Sequence, residues 1–336
     1  MISTIICSLW IPALVALLTS AAVIALVIRS RVARLAMDHP NQRSLHQTPT
    51  PRLGGLGIVA GIAAGWVCLF PPFEWPVVLG VGILAAVSLL DDVRTLSAGW
   101  RLLLHIAVAL LAMTVLLHAA HGIWLTLAAT LATAWMINLY NFMDGSDGLA
   151  GGMACLGFGA YGVAALIAGD TTLASAGFVI AGATLGFLWF NFPPARIFMG
   201  DAGAIPLGYL AAVMGIAGWL RDAWPLWFGA IVFSPFIVDA TVTLSRRAAR
   251  GAKVWQAHRE HYYQRLVRSG WSHRRTAVAE YALMLACSVL AIAAVRIEAL
   301  RPVLLAGVPA MYITLLVMVE RRVAVLPTQD ATSGPC

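Results

Sequence analysis

The chain has 336 residues, of which 60% are hydrophobic and 11% charged. It carries a formal net charge of +7 and a mean hydropathy of +0.84. A soluble chain is about 45–50% apolar and about 25% charged, so this composition excludes disorder and argues against a soluble globular enzyme. The excess charge is arginine, with Lys253 the only lysine, and the five cysteines are scattered without metal-type spacing. Neither a disulfide framework nor a zinc site is expected.

At ~20 residues per crossing, the length accommodates a polytopic membrane protein. Eleven apolar runs lie near 5–28, 54–70, 76–90, 102–118, 123–140, 149–168, 173–190, 203–220, 226–245, 277–295 and 302–319. They lack the period-2 alternation of a barrel. The expected fold is therefore all-α, with about eleven transmembrane helices in one domain over 1–326 and a flexible polar tail over 327–336. The first run is followed at once by Arg29, Arg31 and Arg34. That pattern stops a span at the cytoplasmic face and is unlike a cleaved leader. Gly57, Gly61 and Gly65 recur every four residues on the second run, which predicts close helix packing.

With the N-terminus outside, the inside segments 29–53, 91–101, 141–148, 191–202, 246–276 and 320–336 hold 19 of the 22 Lys and Arg residues. Only Arg221, Arg296 and Arg301 fall outside, a strong positive-inside signal. The C-terminus is then inside. The outside loops are short, so function is expected at the cytoplasmic face.

The acidic residues follow the same division. The third run ends in Asp91 and Asp92, and the fifth in Asp144 and Asp147. Asp201 lies in the next inside loop, and Asp239 precedes Arg246 and Arg247. Six carboxylates from four hairpins thus gather at one boundary, where a lone Asp would be ordinary interfacial solvation. Carboxylates without lysine suggest a hard cation, Mg²⁺ or alternatively Mn²⁺, and with it a phosphate-bearing substrate. In Asn138-Leu-Tyr-Asn141-Phe-Met-Asp144-Gly-Ser-Asp147-Gly, polar side chains three apart share a helix face, and the glycines free backbone N–H groups for an anion. In Asn191-Phe-Pro-Pro-Ala-Arg196-Ile-Phe-Met-Gly-Asp201-Ala-Gly203, prolines stop a helix, Arg196 offers a phosphate fork, and glycines flank one Asp. The loop 246–276 carries nine Lys and Arg residues together with His258, His261 and His273. Topology and anionic lipid account for its arginines but less well for its histidines. Asp38–Gly55 is a polar loop with three prolines.

These segments resemble the polyprenyl-phosphate N-acetylhexosamine-1-phosphate transferases. That superfamily includes the initiating transferases for O-antigen and teichoic acid linkage and the phospho-N-acetylmuramoyl-pentapeptide transferase. The resemblance runs from Asp38 to about His273. Asp91-Asp92 is similar to the family's paired aspartates, Asn138 to Gly148 to its nucleotide and metal motif, and Asn191 to Asp201 to its most diagnostic segment. The family's basic loop commonly reads His-x-His-His. Here His261 takes the first position, with Tyr263 and Gln264 in the other two, like the branch that starts O-antigen with N-acetylfucosamine-type sugars.

The resemblance implies attack of a polyprenyl (undecaprenyl) phosphate on the β-phosphorus of a UDP-amino sugar, with release of UMP. It implies Asp201 as first Mg²⁺ ligand, assisted by Asp144 or Asp147. Asn138, Asn141, Asn191 and Arg196 would serve the nucleotide or orient the aspartates. His258, Arg259, His261 and Arg265 would clamp sugar or diphosphate, with Asp239 behind them. Asp91 or Asp92 would position the lipid phosphate. The partners expected are these two substrates and the bilayer, with a homodimer as the assembly and no nucleic acid. An ion-coupled transporter is the rival class, but it would place its ionisable residues near the bilayer midplane.

Overall fold

The computed structural model describes residues 2–40, 48–69, 74–94, 96–254, 256 and 258–324, with side chains described from Leu9 onward and not at 92–94. The expected tail and the side chain of Asp92 lie outside the described residues. Every predicted apolar run falls on a helix. These are α1 (Ile2–Arg29), α2 (Gly54–Val67), α3 (Trp75–Arg94), α4 (Ala98–Met113), α5 (Ala119–Met143), α6 (Leu149–Ala168), α7 (Thr171–Asn191) and α8 (Asp201–Leu220). After α9 (Trp227–Val232), α10 (Ser234–Ala249) and the short α11 (Tyr262–Arg268) come α12 (His273–Arg296) and α13 (Leu300–Ala324). Among the described residues, seven stretches are long and apolar enough to cross a membrane. The only strands described, β1 (Met37–Asp38) and β2 (Thr50–Pro51), form a two-residue ribbon closing the polar loop.

Three runs differ from expectation. The ninth is broken at Phe233 into α9 and α10. Pro235 opens α10, where its missing N–H costs least, and cannot extend the preceding helix. The fourth and fifth runs join in one helical stretch of 46 residues. That length is ~69 Å if straight, about twice a ~30 Å hydrocarbon core. The chain leaves helical geometry at Gly122 (φ 75°, ψ 177°). It folds back there, since His105 on α4 hydrogen-bonds Asn138 on α5.

The glycine stripe of α2 does pack closely. A Cβ at Gly57 would stand 2.4 Å from Ile24 of α1, and one at Gly65 2.6 Å from Val179 of α7. Buried Phe158, Tyr161, Phe228 and Phe233 form an aromatic core between α6 and the α9–α10 break. Backbones that approach this closely fix the helix ends, and the polar residues stand on those ends.

Candidate functional site

Two loops are laced together first. Phe198 N–H donates to Pro51 O (2.7 Å), Gly54 N–H to Phe198 O (2.8 Å) and Gly55 N–H to Met199 O (2.8 Å). This lays the start of α2 across the start of α8. A Cβ on Gly55 would lie 2.2 Å from Gly203 N, so only glycine permits the crossing. Asn191 is buried and holds the second junction. Its Oδ1 accepts from Gly148 N–H (2.9 Å) and its Nδ2 donates to Ile197 O (2.9 Å). With both amide atoms spent on backbone, Asn191 joins the α5–α6 turn to the α7–α8 loop. Arg196 is turned away from the carboxylates, stacked on Phe190 (4.7 Å) and donating to Trp189 O (3.2 Å).

These junctions converge the aspartates. Asp144 caps the end of α5 and accepts from Gly200 N–H, with Asp201 and Asp147 as charged neighbours. Burial, then the Asp201 charge, push the Asp144 carboxyl well above the usual carboxylate range. Asp201 opens α8, where the helix N-terminus favours an anion, and accepts from the Asn141 side chain. Arg101 Nη1 bridges Asp201 (3.2 Å) and Asp91 (3.0 Å), and Arg52 acts on Asp201 from the other loop. Asp91 also accepts from Leu96 N–H. Asp147 accepts from Ala195 N–H (3.0 Å) and faces His273 (3.8 Å), which also meets Ser146 (3.0 Å). Asn138 donates to Ala134 O (2.7 Å) and pairs with His105.

The basic loop forms a second group. Asp239 is buried and accepts from His261 Nδ1 (3.1 Å), Tyr262 N–H (2.9 Å) and Tyr263 N–H (3.1 Å), so it caps α11 from α10. His261 is buried beside His258, with ring centroids 4.8 Å apart. Tyr263 is fully buried against Gly145, and Gln264 closes a capping box on His261. Arg265 is engaged by both oxygens of Glu320 (2.6 and 2.7 Å). Arg259 has no carboxylate partner among the described residues.

Of the expected residues, the fold brings Asp91, Asn141, Asp144, Asp147 and Asp201 to one place. It sets Asn191 and Asp239 as buried braces, and Arg196 apart. Arg101, Arg52 and His105 were not anticipated as site residues. The available signal was an arginine and a histidine one turn apart on an otherwise apolar helix, of which the arginine counted only toward topology.

Among the described residues no three His, Cys, Asp or Glu side chains form a ready-made cation cage. The donor set still fits Mg²⁺, which takes one or two carboxylates plus substrate phosphate oxygens and keeps several waters. Neighbouring Asp144 and Asp201 would supply those carboxylates, and their mutual repulsion would favour a cation between them.

Residues 75–219 match Glycosyl transferase family 4. The chain is 30% identical over 298 residues to a probable undecaprenyl-phosphate N-acetylglucosaminyl 1-phosphate transferase of Bacillus subtilis, covering 83% of each chain. It is 32% identical to a decaprenyl-phosphate N-acetylglucosaminephosphotransferase of Mycobacterium tuberculosis, over 76% of this chain and 74% of that one. It is 28% identical to the undecaprenyl-phosphate alpha-N-acetylglucosaminyl 1-phosphate transferase of Escherichia coli K12, over 72% of each.

Proposed function

The chain belongs to Glycosyl transferase family 4, and we propose that it moves an N-acetyl amino sugar-1-phosphate from a UDP-sugar onto undecaprenyl phosphate, releasing UMP. The observation that carries this reading is the Asp144–Asp201 pair at the start of α8, bridged through Arg101 to Asp91. The arrangement supplies negative charge for a hard cation and a guanidinium for a phosphate, side by side.

In the proposed reaction an oxygen of the lipid phosphate attacks the β-phosphorus of the donor. A new P–O bond forms, and the bond from that phosphorus to the bridging oxygen breaks, so that UMP leaves with the electron pair. A phosphate monoester with a second pKa near ~6 is mostly dianionic at neutral pH. The chain therefore has to position the acceptor more than deprotonate it, and Asp91 with Arg101 is placed to do so. Mg²⁺, when bound, would offset charge on the transferring phosphoryl group. Asp144 and Asp201 are the residues placed to hold it, with Asp147 further out beside His273. His261 is oriented through Nδ1 by Asp239, which leaves Nε2 as the ring atom that can turn to the donor. The site faces the cytoplasm in this reading, which the 19 basic residues of the inside segments support. The membrane is then the bacterial inner one.

The donor is a UDP-N-acetylhexosamine. Tyr263 and Gln264 brace α11 and the Asp144 turn rather than stand in open solvent. UDP-N-acetylglucosamine and a UDP-linked 6-deoxy amino sugar are accordingly the two donors to compare, by kcat/KM. Purified protein should release UMP only when UDP-sugar, Mg²⁺ and undecaprenyl phosphate are all present. UMP release that ignores the lipid phosphate would overturn the assignment.

A further inference from the structure

Helix α11 has only seven residues, too few to be stable alone. It carries His261 at its N-terminus, so whatever holds α11 sets where that ring stands. One end is capped by Asp239 from α10. The other support comes from the last helix, outside the family-matched segment 75–219. Glu320, near the end of α13, takes both Nη atoms of Arg265 (2.6 and 2.7 Å) and the Tyr262 hydroxyl (3.0 Å) from α11, and Arg246 from α10. Arg265 also stacks over the Tyr262 ring at 5.1 Å. A second tie lies two residues on, where Arg322 Nε donates to Ser269 Oγ (3.2 Å) just past α11 and lies over Trp271 (5.7 Å). Further up, α13 packs on α12 and α10 through buried Leu304, Val308 and Tyr312, whose hydroxyl meets Ser234 Oγ (2.7 Å), so the charged ties of its last turns are the ones that reach α11.

We propose that Glu320 is a positioning residue for the transfer. It joins α10, α11 and α13 and so holds His258 and His261 over the donor side of the carboxylate centre. The inference rests on the proposed reaction for its kinetic part only. Its geometric content stands on the four-residue cluster of Glu320, Arg265, Tyr262 and Arg246. A bidentate carboxylate–guanidinium pair fixes both distance and orientation, which a single hydrogen bond does not. The same pair means that Arg265 acts by holding the loop and not as a free anion clamp.

The full-length protein in detergent serves for the test, with Glu320→Gln, Glu320→Ala and the charge swap Glu320→Arg with Arg265→Glu. Hydrogen–deuterium exchange is followed first, without substrate. Amides of 262–268 should exchange faster in both single variants, with α5 to α8 unchanged, and protection should partly return in the swap. Unchanged exchange in Glu320→Gln overturns the inference whatever the reaction is. In the UMP-release assay, KM for the UDP-sugar should rise about tenfold, as for one lost charge-assisted hydrogen bond, while KM for undecaprenyl phosphate stays within about twofold. A fall in donor KM would equally overturn it, since Glu320 would then be competing with the donor for Arg265. Wild-type UMP release reports on the proposed reaction alone, so the two failures are distinguishable.

Discussion

The carboxylate centre and the basic loop are near neighbours with opposite electrostatic characters. In the loop, four of the nine cations are paired with carboxylates of the chain. Arg246 and Arg265 meet Glu320, Arg247 and Arg250 meet Glu260, and His261 meets Asp239. In the centre, charge is left over. Asp91, Asp144, Asp147 and Asp201 face chiefly Arg101, Arg52 and His273, and the Asp144 carboxyl is driven upward by its surroundings. The nine loop cations look like the anion site when counted, yet four of them build the loop. At the centre the unbalanced charge is negative, which a divalent cation and its phosphates can complete.

The comparison breaks if the leftover charge is not used. Asp201→Asn keeps the shape and removes the charge. A group acting on charge that develops in the transition state typically contributes about 10²–10³ in rate, so turnover should fall by that factor and Mg²⁺ dependence should weaken. The measurement is UMP release by well-folded variant across a Mg²⁺ titration. Wild-type turnover at unchanged Mg²⁺ dependence would remove Asp201 from the centre and leave Asp144 and Asp147 as the ligands.

Arg101→Gln tests the bridge between Asp91 and Asp201. Partners that orient a metal-binding carboxylate typically cost about 10–100-fold when lost, and a loss in that range is expected in kcat/KM for the lipid acceptor. Arg265→Gln, by contrast, should act on the loop, with its effect on the donor. Equal effects of the two arginines on both substrates would erase the distinction between the regions.

The chain shows plainly why some of this was readable in advance and some was not. All-round apolar runs mark the helices because only a helix satisfies a segment's backbone within that segment in lipid, and each run did fall on a helix. The aspartate positions were readable because a carboxylate at the end of an apolar run has few other reasons to be there. Arg101 was hidden because an arginine at an inside end also serves topology, and sequence does not separate the two uses. Asn191 was expected to meet substrate, and its motif gave no sign that both amide atoms are spent on Gly148 and Ile197. Asn191→Leu should therefore act through stability. Leaving two buried backbone groups unsatisfied costs about 1–3 kcal/mol each, seen as a lower unfolding temperature, with donor and acceptor KM unchanged in the protein that remains folded. A raised KM at unchanged stability would return Asn191 to the substrate.

The smallest expected effect concerns the loop's one strongly displaced histidine. Burial first, then the nearby His261 and Arg247, push the His258 imidazole down to about 4 from its ordinary 6.5. Glu260 N–H donates to its Nδ1 (3.3 Å), a contact that requires this nitrogen to be unprotonated. Between these two values the unfolded chain takes up a proton that the folded chain refuses. The unfolded state then binds more protons, and stability falls as the pH falls through the window from 6.5 towards about 4. His258→Gln has no such proton to take up, so acidification from about pH 7 to about pH 5 should lower its unfolding temperature less than that of the wild type. The effect is modest because the ring is only half-buried. Unfolding temperatures of both proteins at both pH values decide it. An equal drop would mean that His258 is solvated like an ordinary surface histidine, and that the loop is less closed around its histidines than the comparison with the carboxylate centre requires.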